Sequence, residues 1–215
     1  MQITDAFWLA SDHIVELLDD EATAKHWEEP SALEGMTVGG LVAHVLQGVV
    51  WLERLLEAPV PTDVPVVAFG DYFGGFKVVT GDDFGSEIHR YVRALAQRDA
   101  GRPVEDTKTK FREVLARLRK KLDRQPGDRL LDMRPTLPAA MRLDDRLRVE
   151  IVELVVHGDD LAASIGREDS ELPPEAVTVA LGALLESPRR RHGDRAVVRA
   201  MARRERTGAE VFPVL

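Results

Sequence analysis

The stretch R-V-E-I-V-E-L-V-V-H-G-D-D-L-A, Arg148 to Ala162, sets Glu153 and His157 inside an apolar run of Ile151, Val152, Leu154, Val155 and Val156. A polar group taken out of water costs free energy unless a partner meets it. Residues four apart lie on one face of a helix about a turn from each other, so this carboxylate and imidazole converge on a common point. The pattern predicts a long buried helix, capped by Asp144 or Asp145 and stopped at Gly166.

A second stretch, G-G-L-V-A-H-V-L-Q-G from Gly39 to Gly48, repeats the anomaly. His44 stands alone in an apolar stripe of Leu41, Val42, Val45, Leu46, Val49, Leu52 and Leu56, on a helix read from the cap Thr37 to about Glu57 and closed by Pro59 and Pro61. Gly40 and Gly48 lie four residues to either side of His44. Each costs up to about 1 kcal/mol of helix propensity relative to alanine, and they are expected to leave space at the imidazole ring.

The Glu153–His157 spacing by itself suits an ordinary hydrogen-bonded pair as well as a pair of metal ligands. Two features favour ligation: both residues interrupt an apolar run, and a further histidine lies in the apolar stripe of another helix. His44, Glu153 and His157 together would make the open type of zinc site, three protein ligands and a vacant fourth position. The Glu-x-x-His pairs of a di-iron bundle and the His-Glu-x-x-His motif do not occur in the chain.

Helical periodicity extends over most of the remaining sequence. Helices are expected at about 4–25, 86–97, 104–124, 174–186 and 194–206, with a Pro- and Gly-containing connection over 126–138. Residues 58–85 read as irregular, their Phe69, Tyr72, Phe73 and Phe76 forming either a lid or a segment wrapped over one end of the core. Only Val66 to Phe69 and Lys77 to Thr80 resemble strand. Four long helices predict an all-α four-helix bundle over residues 1–170, with a C-terminal helical extension at 171–215 packed on the same domain.

The 215 residues, 44% hydrophobic and 31% charged, suffice for one large domain around a core. No apolar run approaches the roughly 18 residues that span a bilayer, and no basic n-region follows Met1, so a soluble cytoplasmic protein without a membrane partner is expected. There is no cysteine, which excludes disulfides, thiolate zinc sites and a cysteine nucleophile; thiol chemistry needs an outside thiol. The net charge of −8 argues against a nucleic-acid partner. The eight arginines after Pro188 read as the wet face of a terminal helix whose apolar side is Val197, Val198 and Met201.

Other polar residues take plainer readings. His13 and Glu16 are expected as an exposed pair, and His26, His89 and His192 as surface histidines. Trp51, seven residues after His44, is read first as core and second as a pocket wall. Arg146 or Arg148 would suit an anionic substrate, with nothing in the sequence to choose between them.

The motifs T-V-G-G-L-V-A-H-V-L, from Thr37, and E-L-V-V-H-G-D-D-L-A, from Glu153, resemble those of the actinobacterial maleylpyruvate isomerase N-terminal domain family, within the DinB-like group of metal-dependent four-helix bundles. The resemblance covers at least residues 5–166. It implies that His44, Glu153 and His157 bind a divalent cation, zinc first and nickel second, with Asp160 orienting or packing beneath them. It further implies mycothiol, a low-molecular-weight thiol, as cosubstrate and a small electrophile as acceptor.

Two family features differ here: Leu33-Glu34-Gly35-Met36 stands where Cys-Pro-Gly-Trp is common, and Asp159 where tryptophan is common. The isomerase proper carries a second domain, and the chain ends at Leu215. The expectation is therefore a metal- and thiol-dependent S-transferase. A metal-dependent hydrolase, a maleylpyruvate-type isomerase and a non-catalytic regulatory bundle are the alternatives, and a homodimer is allowed for.

Overall fold

A computed structural model describes residues 2–75, 87–135, 137–203 and 205, with the side chains of 73–75 and 87–89 left aside. Four long helices form the bundle: α1 (Ile3–Asp19), α3 (Val38–Glu57), α6 (Val104–Leu122) and α7 (Leu143–Ser164). Both α1 and α3 pack on α6 and on α7. Their apolar stripes meet in one core that includes Phe7, Ile14, Leu41, Leu52, Phe111 and Ile151, each at most 1% exposed. Burying each such side chain contributes about 1.5–3 kcal/mol. The architecture is the expected all-α, DinB-like bundle.

Local chemistry sets the helix ends. Thr37 caps α3, its Oγ1 accepting from Gly40 N at 3.0 Å. Gly166 follows α7 with φ +72, a conformation that glycine adopts without Cβ strain. The acids Asp144 and Asp145 sit inside the first turn of α7, not at its cap, which is Arg142; there they still face the positive end of the helix dipole. The single helix expected over 4–25 is two. Asp20 takes an extended conformation and its carboxylate accepts from Ala22 N at 2.9 Å, ending α1 and starting α2 (Glu21–Lys25). Across the bundle Glu53 of α3 receives both Arg117, at 2.8 and 3.0 Å, and Lys121, at 2.8 Å, from α6.

Smaller elements differ from expectation. The aromatic segment contains α4 (Phe69–Gly75), which packs on α7 and on α8 (Pro174–His192), with Phe69 buried. For Phe69 and Tyr72 the segment wraps the core, and Phe76 falls outside the described residues. At Val66 there is one parallel bridge to Ala140 rather than a strand, and Lys77 to Thr80 lie outside the described residues. The connection before α7 holds an antiparallel pair, β1 (Leu130–Asp132) and β2 (Ala140–Arg142), in the register Leu131↔Met141. Strands of three residues show no readable alternation.

Helix α5 (Glu87–Ala100) lies along α3. α8 continues six residues past its expected end through Pro188, and Gly193, at φ +80, joins it to α9 (Asp194–Ala202). Of the apolar side expected on α9 only Val197 is buried; Val198 and Met201 are exposed. No described helix is long and apolar enough to cross a membrane.

Candidate metal centre

The packing of α3 on α7 brings His44 to Glu153 and His157. One donor atom from each lies within 4.8 Å of the other two, and among the described residues this is the one cluster of its kind. Glu153 Oε2 stands 3.3 Å from His157 Nε2 and 3.7 Å from His44 Nε2. The imidazoles meet edge to face, centroids 4.9 Å apart and planes at 77°. Behind them His157 Nδ1 lies 2.9 Å from Asp160 Oδ2. A third of the Glu153 side chain remains exposed (33%), so the trio opens to one side.

Electrostatics follow from this crowding. Burial disfavours charge on Glu153, yet the His157 and His44 imidazoles beside it hold its carboxyl well below the usual carboxylate range. Burial also opposes charge on His157; hydrogen bonds to Asp160 and Glu153 overcome it and raise the imidazole from 6.5 to about 9. With Nδ1–H donating to Asp160, the other ring nitrogen, Nε2, faces a carboxylate oxygen at 3.3 Å. Two electron-rich atoms so close need a positive species shared between them, a proton or a cation. Two imidazoles, one carboxylate and a carboxylate behind a ring nitrogen are the donor set of an open zinc-type centre, and the residues fit such an ion.

The glycines flanking His44 have a different purpose from the one expected. A Cβ on Gly48 would come 2.8 Å from Glu150 Oε2, and one on Gly40 would come 2.7 Å from Gln97 Oε1. The space they leave admits these polar side chains and not the imidazole ring. Glu150 lies one turn before Glu153, is 1% exposed, and pairs with Arg146, itself 6% exposed. Sequence reasoning passed over Glu150. Its signal was available, an acid between Val149 and Ile151 with Arg146 four residues before it.

Both arginines considered for an anionic substrate are engaged, Arg146 with Glu150 and Arg148 with Asp145. Arg146 points into the protein, whereas Arg148 is exposed and bonds Asp145 at 3.3 Å. Tyr72 of α4 senses Arg146, Glu150 and Glu153; burial above all, with the two carboxylates adding, pushes its hydroxyl up, so it stays protonated.

His13 departs from its expected exposed pairing with Glu16. It is 5% exposed, its ring 3.4 Å from where a Gly158 Cβ would be, and its Nε2 has no partner. Glu16 faces solvent, because α1 turns the His13 face toward α7. His26 bonds Glu29 at the surface and His192 is exposed, as expected, while the His89 side chain lies outside the described residues. Trp51 is half-buried and lines a cleft. Asp159 is exposed on the far side of α7 from the core.

One protein family matches: the mycothiol maleylpyruvate isomerase N-terminal domain, over residues 5–162, which run from the start of α1 nearly to the end of α7. No curated protein and no solved structure gives a match. The helical bundle, the helix pair that carries the trio and this match agree: the chain belongs to the mycothiol maleylpyruvate isomerase N-terminal domain family.

Proposed function

We propose that the chain is a metal-dependent transferase that joins a small thiol, mycothiol first, to a small electrophile, with His44, Glu153 and His157 holding a divalent cation. The observation that carries this reading is the meeting of three ligand atoms within 4.8 Å on two helices, one of them backed by Asp160. A bound dication, zinc in first place and nickel in second, would favour the thiolate form of an incoming thiol at neutral pH.

The chain's own residues do the rest. Asp160 keeps a proton on His157 Nδ1 and so directs Nε2 at the centre. With no cysteine in the protein, the nucleophilic sulfur comes from the cosubstrate. In the transfer the thiol proton leaves to solvent, a sulfur–carbon bond forms, and the leaving group takes the electron pair of the bond it vacates. Isomerisation of a maleylpyruvate-type double bond is the second reading, favoured by the family match.

The test combines elemental analysis with turnover. The purified protein should hold near-equimolar zinc or nickel, His44→Ala and His157→Ala should hold little, and the parent should consume mycothiol with an electrophile panel. Equal metal in all three proteins, or metal without thiol consumption or isomerisation, would overturn the reading.

A further inference from the structure

On the outer side of α3, facing α5 and α6, lies a cleft of about 740 Å³. That is within the range of small-molecule sites, roughly 300–1,000 Å³. Its apolar wall is Leu46, Val50 and Trp51 from α3 and Leu95 from α5, with the exposed Tyr91 at the mouth. No metal-centre ligand lines it, although Trp51 follows His44 by seven residues, roughly 10 Å along the same helix face.

The cleft's charge runs against that of the chain. The protein carries −8 overall. Around the cleft, Arg54, Arg98, Arg102 and Lys110 outnumber Asp99 and Asp106. Asp99 is fully engaged: it accepts from Gln47 Nε2 at 3.2 Å and pairs with Arg98 at 3.1 Å and Arg102 at 3.6 Å. Arg54, from α3, and Lys110, from α6, have no ion pair with any described residue. Two free cations at the edge of an apolar, aromatic-walled recess within an acidic protein focus potential on small anions.

We infer that the cleft between α3, α5 and α6 is a binding site for a small carboxylate with a flat apolar body. The body lies against Trp51 and the α3 and α5 aliphatics, and the carboxylate meets Arg54 and Lys110. The site is separate from the metal centre and does not depend on it.

The probes are 2-naphthoate and its uncharged counterpart of the same shape, 2-naphthamide, titrated calorimetrically at low salt. The proteins are the parent, the metal-stripped His44→Ala variant, and a double variant Arg54→Gln with Lys110→Gln. Both arginine and lysine positions lie outside the core, so the double variant keeps the fold, as circular dichroism will check. Parent and His44→Ala should bind naphthoate alike, about tenfold tighter than the amide, and the double variant should bind both probes about equally. The inference is overturned by equal affinity for both probes in the parent, by a preference that survives in the double variant, by absence of binding, or by loss of naphthoate binding in His44→Ala. The last result would assign the anion to the metal centre, while intact naphthoate binding in a parent that consumes no thiol would count against the transferase reading alone.

Discussion

His157 Nδ1 lies 2.9 Å from Asp160 Oδ2, so a residue one turn along the same helix decides which nitrogen His157 turns toward Glu153. The carboxylate fixes the ring, and it makes Nε2 a better donor to a cation. Asp160→Asn keeps the size of the side chain and removes its charge. It should weaken zinc affinity by about 10–100-fold while the thermal midpoint of the metal-free protein moves little. Competition with a chromophoric chelator measures the first and calorimetry the second. Unchanged affinity would reduce Asp160 to a helix-surface contact.

Gly48→Ala separates two physical accounts of the glycine. In an unobstructed helix interior alanine is better by about 1 kcal/mol. Here the new Cβ would stand 2.8 Å from Glu150 Oε2, whose carboxylate is held in the core by Arg146 and has nowhere free to move. Overpacking of this kind costs about 1–3 kcal/mol, so the substitution should destabilise the protein, as read by the midpoint of urea unfolding. A gain in stability would show that Glu150 relaxes without loss.

The outcome at each position follows from how local its determinants are. α3 and α7 could be read in the sequence because their stripes repeat over five turns or more and their ends carry Thr37 and Gly166. The trio could be read because two of its members share a helix face and the third interrupts another apolar stripe. α4 was hidden by Gly70, Gly74 and Gly75, which suggest a loop unless packing on α8 offsets their entropy. The fate of His13 depended on Gly158, a residue 145 positions away whose missing side chain opens the space. Glu150 and Arg146 have the spacing of a surface ion pair, and tertiary packing, with Gly48 of α3 against Glu150, makes the pair a buried one.

His13 gives the protein an acid-sensitive point. Burial lowers its pKa from 6.5, with the charge of Glu16 opposing part of that shift. The unfolded chain therefore takes up the proton first as pH falls. Stability from the neutral ring is complete above 6.5 and is lost between 6.5 and the lower folded value, at no more than about 1.4 kcal/mol per pH unit. His13→Leu removes the titration. The difference between variant and parent in unfolding free energy should be flat from pH 7 to 8 and should shift in the variant's favour below 6.5. A pH-independent difference would mean that His13 finds a partner when protonated.

The buried pair of Arg146 and Glu150 should respond unequally to losing either member. A guanidinium does not give up its proton within a protein, so Glu150→Gln leaves a charge 94% out of water with no counter-ion. Breaking a buried pair in this way costs about 3–5 kcal/mol. Arg146→Met leaves a carboxyl whose pKa burial already raises, and which neutralises itself by taking up a proton once the arginine that opposes the shift is gone. Its cost should be the smaller at pH 6 and should grow as pH rises, because the raised folded pKa means stability is lost through that value. Urea unfolding of both variants at pH 6 and 8 reads the asymmetry. Equal costs at both pH values would show that Glu150 stays ionised without Arg146, with His44 supplying enough of its stabilisation.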